Sequence, residues 1–239
     1  MVVHVFDTPA QVAQAAAAVI AAQVLQKPDS VLGLATGSTP MDTYRELISL
    51  HRGGVLDFSR VKSYNLDEYV GLPAGHPESY VSFMKRNLFD HINIGSYSLP
   101  DGSARDLQRE CESYEQAIRD DGGIDLQLLG IGNNGHIGFN EPGKAFTYST
   151  NLTTLAQSTI DANKRFFDSI DQVPRQALSM GIGTIMEARS ILLLALGEAK
   201  AQAVYQMIRG PITPRVPASI LRGHARVTVM LDKAAAARL

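Results

Sequence analysis

Six short apolar runs recur along the chain, at residues 2–6, 31–35, 61–66, 126–131, 191–196 and 227–231, and two of them, 31–35 and 191–196, carry no polar residue at all. A strand that is apolar at every position has no face left for water, so such runs predict strands covered on both sides. Amphipathic stretches lie between them and predict helices. Thr8 and Pro9 supply an N-cap and a first helical residue for a helix that runs to about Gln26. Pro40, behind Thr39, opens a second, and further helices are expected over 78–88, 104–120, 162–169 and 198–209. Strand and helix in alternation imply an α/β fold with a parallel sheet and right-handed crossovers. A length of 239 residues suits one large domain or a domain with an insertion. The stretch 143–185 is less regular and reads as a mobile lid over a site.

Composition excludes several classes of function. A formal net charge of −2, with 19% charged residues, points to neither nucleic acid nor an acidic membrane surface. Residues 2–7 alternate like a strand and carry no basic segment, which argues against a signal peptide. The Ala-rich run at 13–22 is interrupted by Gln14 and is too short to span a bilayer. Cys111 is the one cysteine, so no internal disulfide forms and a reducing cytoplasm is the simplest setting. No polar motif surrounds Cys111, which argues against a nucleophile. His4, His51, His76, His91 and His224 are scattered, without the spacing to Cys, Asp or Glu that a metal site requires, and no metal is expected.

In open α/β sheets, ligands bind beyond the carboxyl ends of the strands, and three of those ends here are polar. After 31–35 comes Thr36-Gly37-Ser38-Thr39-Pro40. Backbone N–H groups and hydroxyls converge there with the positive end of a helix, as a phosphate cradle requires. The other reading is an ordinary strand–turn–helix with Thr39 as N-cap. After 61–66 come Asp67 and Glu68. A partly desolvated carboxylate at a strand end can be a general base; the alternative has Asp67 capping a turn and Glu68 solvated. After the fourth run comes Gly130-Ile131-Gly132-Asn133-Asn134-Gly135-His136-Ile137-Gly138-Phe139-Asn140-Glu141-Pro142. Gly130, Gly132 and Gly135 match a dinucleotide fingerprint, but Gly138 and Pro142 follow where a helix should open, so no nicotinamide is expected. His136, with Asn134 and Glu141 close by, suits an acid/base group held in one tautomer, or else a loop histidine bonded to backbone.

These same residues carry a resemblance. The chain resembles the glucosamine-6-phosphate deaminases over essentially its whole length, in the blocks at 34–44 (LATGSTPMDTY), 65–72 (NLDEYVGL), 76–84 (HPESYVSFM), 130–142 and 164–168 (KRFFD). The resemblance implies a three-layer, Rossmann-like α/β/α sandwich without a dinucleotide. It implies an enzyme that turns glucosamine 6-phosphate and water into fructose 6-phosphate and ammonia, a hydrolase of aminosugar catabolism. Carried over residue by residue, Thr36, Gly37, Ser38 and Thr39 form the phosphate loop. Arg165, in the lid helix, and Lys200, at the start of a later helix, are its basic ligands; on their own, both would read as solvated helix faces. Asp67 is the enolisation base, His136 opens the sugar ring with support from Glu141 and Asn134, and the backbone around Gly130 and Gly138 lines the sugar.

The sequence departs from the larger allosteric members of that family. Position 134 is Asn where they have Asp, which leaves an amide to orient the imidazole without supplying charge. Their basic pair for the activator N-acetylglucosamine 6-phosphate falls on Asn151 and Thr153, and the chain stops at Leu239, short of their extension. This implies the shorter, non-allosteric branch and a monomer, with no cofactor. Two rivals share the scaffold. The 6-phosphogluconolactonases usually follow Asp-Glu with Arg, where this chain has Tyr69. A sugar-phosphate sensor domain would need a DNA-reading module, for which there is no room before Val31.

Overall fold

The computed structural model describes residues 1–73 and 75–239. The first half of the chain forms β1 (Val2–Phe6), α1 (Pro9–Gln26), β2 (Val31–Leu34), α2 (Met41–Arg52), β3 (Lys62–Asn65), β4 (Asp67–Tyr69), α3 (Tyr80–Asn87), β5 (Ser96–Ser98), α4 (Leu107–Asp120) and β6 (Leu126–Leu129). The second half forms β7 (Asn151–Thr154), α5 (Gln157–Asn163), β8 (Gln176–Ser179), α6 (Ile182–Glu187), β9 (Ile191–Ala195), α7 (Ala201–Arg209) and β10 (Val227–Asp232).

A seven-stranded sheet in the order β1-β10-β9-β6-β2-β3-β5 is parallel throughout. Its central strands β2, β6 and β9 are buried at every residue, which is why their sequences are nearly all apolar. The edge strand β1 is largely exposed. Residues of α1, α2, α4 and α7 flank the sheet and join its strands in one core. The first helix begins as its sequence requires: Thr8 accepts from the Gln11 backbone N–H while the Gln11 side chain accepts from the Thr8 N–H. Such a box contributes about 1 kcal/mol.

Three local expectations are corrected. Thr39 makes no cap; Pro40 occupies the cap position in helical geometry and α2 starts at Met41. The helix expected over 162–169 lies earlier, at Gln157–Asn163, and gives way to a 3-10 turn at Lys164–Phe166, so Arg165 follows the lid helix rather than lying within it. The stretch 143–185 is also more regular than expected. It contributes β7, α5 and β8, and β4-β8-β7 pair as a second, antiparallel sheet. Tyr69, Phe139, Leu155, Ile160, Val173 and Ala177 form a small separate core there.

Leu66 alone separates β3 of the large sheet from β4 of the small one. Its N–H donates to Leu34 (3.1 Å) and its carbonyl accepts from Met180 N–H (2.7 Å), so it joins both sheets. That junction fixes the position of Asp67. Among the described residues, no helix is long and apolar enough to cross a membrane.

Candidate active site

Strands β9, β6, β2 and β3 are adjacent and parallel, so the segments after them emerge along one edge of the sheet. Chain direction reverses there: β2 leads to β3 on one side, whereas β6 leads toward β9 on the other. This is a topological switch point, where such sheets open a crevice. Residues 36–39 follow β2, Asp67 follows β3, residues 130–141 follow β6, and Lys200 follows β9. The three polar strand ends are thus brought together with a fourth.

The segment after β2 is held from below. Tyr44, fully buried on α2, donates its hydroxyl to the Ala35 carbonyl at 2.5 Å. Thr36, Gly37 and Thr39 are half-buried and Ser38 is exposed, immediately ahead of the α2 N-terminus. Free backbone N–H groups and the dipole of a 12-residue helix favour an anion there.

Asp67 and Glu68 are adjacent carboxylates with opposite fates, because successive strand residues face opposite ways. Glu68 is buried and fully engaged. Its oxygens accept from the backbone N–H groups of Tyr69 (2.8 Å), Tyr80 (2.9 Å) and Val81 (3.0 Å), closing the start of α3. Neither a solvated surface acid nor a free base fits that description. Asp67 is 6% exposed. Burial, and secondarily the Glu68 charge, push its carboxyl up to about 8. A carboxylate in that range is poised to exchange protons near neutrality. Gly138 comes close to it, at φ +55, where a side chain would be strained; a Cβ there would lie 3.6 Å from Asp67 Oδ2.

The loop after β6 builds the other half. No helix follows Gly135, so the dinucleotide fingerprint has no phosphate-binding helix behind it. Gly132 is required for a different reason: a Cβ there would meet the His136 ring at 2.3 Å. Asn140 pins the loop, donating to the carbonyls of Ile137 (2.9 Å) and Met180 (2.8 Å), and the Phe139 N–H donates to Ser179 Oγ at 3.0 Å. His136 Nδ1 lies 3.3 Å from Glu141 Oε2, within ion-pair reach although not aligned as a hydrogen bond. Asn134 ties the pair together: its amide nitrogen donates to Glu141 Oε2 at 2.8 Å and its oxygen accepts from the His136 backbone N–H at 3.1 Å. Thr159 on α5 donates to the other oxygen, Glu141 Oε1. Burial raises the Glu141 pKa, but contacts with His136, Thr159 and Asn134 outweigh it and hold the carboxyl down at about 2. Glu141 therefore stays anionic beside the imidazole.

Arg165 lies within electrostatic reach of Lys200. Burial lowers the Lys200 pKa, and the Arg165 charge lowers it further. Arg165 is exposed, its guanidinium 4.6 Å from the centroid of the Phe166 ring. Among the described residues, neither forms a salt bridge. Two cations within electrostatic reach of each other, and neither in a salt bridge, suit a doubly charged anion. Gly130 lies directly after β6, at the same edge.

Sequence reasoning missed Thr159, Asn140 and Ser179. Asn140 sits inside a motif that drew attention for its histidine; Thr159 and Ser179 carry no local signal. Cys111 is buried, and burial followed by nearby Glu110 pushes its thiol up to about 11, away from nucleophilic use. Two surface hollows, one of about 540 Å³ beside Val5 and Gln11 and another of about 450 Å³ beside Glu68 and Asp101, are lined by neither Asp67 nor His136. Among the described residues, no group of three or more His, Cys, Asp or Glu converges as a metal site would need.

The family described as glucosamine-6-phosphate isomerases/6-phosphogluconolactonase matches residues 7–230. The chain belongs to this family. A glucosamine-6-phosphate deaminase of Halothermothrix orenii is 52% identical over 231 residues, 96% of each chain. One of Clostridium botulinum is 50% identical over 241 residues, covering 100% of this chain and 99% of the other. Among solved structures, a protein described as a monomeric glucosamine-6-phosphate deaminase superposes with a TM-score of 0.97 at 47% identity, over 100% of both chains. The 6-phosphogluconolactonase of Trypanosoma cruzi superposes at 0.80 with 20% identity, covering 100% of this chain and 96% of the other, and shares the fold.

Proposed function

We propose that the chain is a glucosamine-6-phosphate deaminase, converting D-glucosamine 6-phosphate and water into D-fructose 6-phosphate and ammonia. The observation that carries this is identity of about half to deaminases along the full chain. It coincides with a buried Asp67 whose carboxyl is pushed up to about 8 and with a His136 backed by the Glu141 carboxylate.

The chemistry assigns each group a task. Thr36, Gly37, Ser38 and Thr39, with Arg165 and Lys200, hold the substrate phosphate. That remote binding orients the reacting carbons. His136, kept in place by Glu141 and Asn134, moves a proton from O1 to the ring oxygen and opens the pyranose to the aldehyde. Asp67 takes the proton from C2 and returns it at C1. A proton passes from the amine to O1, leaving an imine at C2. Water adds there, and ammonia departs to leave the ketone. The backbone near Gly130 and Gly138 lines the sugar. The electron count changes at no step, so the route uses no redox cofactor, and side chains suffice for the proton transfers.

We read the chain as one catalytic domain over 1–239, with 143–185 as its lid. The small core of that region and its Arg165 support this. A monomeric state follows the monomeric description of the solved relative. A cytoplasmic setting fits a phosphorylated substrate and a single unpaired cysteine. The test offers the protein glucosamine 6-phosphate and 6-phosphogluconolactone separately. Ammonia from the first and no accelerated hydrolysis of the second is the expected result; the reverse would assign the chain to the other branch of its family.

A further inference from the structure

We propose that Thr159 is a positioning residue that orients Glu141 from the lid helix, so that phosphate capture at Arg165 is transmitted to His136. This rests on the deaminase reading above and goes further by assigning the link between the phosphate site and the ring-opening site.

The two oxygens of Glu141 have separate partners. Oε2 receives the Asn134 amide at 2.8 Å and faces His136 Nδ1 at 3.3 Å, both within the loop after β6. Oε1 receives the Thr159 hydroxyl, from a different part of the molecule. An ionised carboxylate can only accept, so the hydroxyl must donate. With both oxygens fixed the carboxylate cannot rotate, and the side it turns to the imidazole is set. Without the Thr159 bond, Asn134 alone would hold it at one oxygen. Thr159 is itself buried at 6% exposure, and its N–H donates to Ala156 O at 2.9 Å in the first turn of α5.

At its far end the same helix reaches the strand that carries the other proton-transfer group. Asn163, its last residue, donates to the Tyr69 hydroxyl at 2.8 Å, and Tyr69 ends the strand that begins with Asp67. Ile160, between them, is buried in the small core with Tyr69 and Phe139. The next turn, Lys164–Phe166, carries Arg165. Contacts to Glu141 and Tyr69 thus lie about 6 Å apart along one turn of a single helix, with a phosphate ligand in the turn that follows. Engagement of Arg165 settles α5, and α5 sets Thr159 against Glu141.

The test compares Thr159→Val, which keeps shape and removes the donor, with Thr159→Ser, which keeps the donor. Turnover, Michaelis constant, inhibition by inorganic phosphate and thermal unfolding are measured for each. Thr159→Val should lose about tenfold or more in kcat, as expected for one hydrogen bond to a charged group. Its inhibition by inorganic phosphate should stay within about twofold, and Thr159→Ser should recover most of the rate. Thr159→Ala serves in its place if Thr159→Val unfolds. Arg165→Ala should lower kcat as well as raise KM, and in the Thr159→Val, Arg165→Ala double variant the kcat loss should be smaller than the product of the single losses, because both act along one path. Wild-type kcat in Thr159→Val, equal loss in the Val and Ser variants, or fully multiplicative losses would overturn the proposal. A wild-type protein that releases no ammonia would overturn the deaminase reading instead.

Discussion

Replacing Asp67 by Asn separates what this residue costs the fold from what it gives the reaction. The carboxyl is pushed up from 3.8 to about 8, first by burial and then by Glu68. The unfolded chain therefore releases this proton near 3.8, while the folded chain holds it until about 8. Between those values the unfolded state binds fewer protons, so wild-type stability falls by up to about 1.4 kcal/mol for each pH unit. The penalty is absent at low pH, reaches on the order of 4 kcal/mol at neutrality and is complete above pH 8. The Asn amide must also leave water, so Asp67→Asn should recover only part of it, roughly 2 kcal/mol at pH 8. For a chain of this size that corresponds to a Tm higher by roughly 4–8 °C. The gain should vanish near pH 6 and become a loss of roughly 3 kcal/mol at pH 4, where the wild-type carboxyl is neutral and only the amide cost remains. Activity should move the other way, falling by about 10² to 10⁴, and C2-proton exchange with deuterated water should vanish. Wild-type kcat/KM should rise with pH toward 8 as the base loses its proton. Calorimetry at pH 5, 6.5 and 8, with ammonia release measured in parallel, checks each part. A variant no more stable than wild type at pH 8 that still exchanges the C2 proton would refute the assignment. Glu68 could not easily take over, since three backbone N–H groups already occupy it.

Other outcomes follow from the same geometry. Arg165→Ala and Lys200→Ala should each raise KM about tenfold or more and weaken inhibition by inorganic phosphate; unchanged constants in both would return these residues to a solvated face. His136→Gln should impair turnover of the closed pyranose more than that of an open-chain analogue, with Glu141→Gln milder in the same direction; equal loss on both substrates would place His136 later in the reaction. Substrate titration should be hyperbolic and unaffected by N-acetylglucosamine 6-phosphate, because Asn151 and Thr153 on β7 carry no charge for its phosphate, and light scattering should give a monomer mass. A sigmoidal curve made hyperbolic by that compound would reveal a different anion site, with exposed Lys144 a basic candidate.

Six of the seven strands of the large sheet were legible, the central ones because burial on both faces leaves a strong mark; β5, a short and largely exposed edge strand, was not. Strands β2, β6 and β9 have almost no choice but to be apolar. The small sheet left no such mark. Asp67–Tyr69, Asn151–Thr154 and Gln176–Ser179 are short and partly polar, and their pairing is between segments far apart in the chain. The run Lys164 to Phe167 looked helical from its composition, yet the helix ends at Asn163; Ile160 packs into the small core from the helix and Phe167 packs against it from beyond. The site divides in the same way. Asp67, His136 and the residues after β2 stand in compact motifs at strand ends, where one stretch of sequence states both the element and the chemistry. Glu68 and Thr159 could not be placed so directly. The first closes a helix 12 residues on, and the second reaches a carboxylate 18 residues back, so each role exists only once the chain has folded.

The central claim is that this cluster deaminates glucosamine 6-phosphate by side-chain proton transfer. Its most direct test is a single reaction with EDTA present, followed by separate assays of ammonia and fructose 6-phosphate. The account predicts equal amounts of both at a rate unchanged by the chelator, and neither product with Asp67→Asn beyond the residual rate stated above. Ammonia without fructose 6-phosphate, loss of the reaction in EDTA, or full turnover by Asp67→Asn would contradict it.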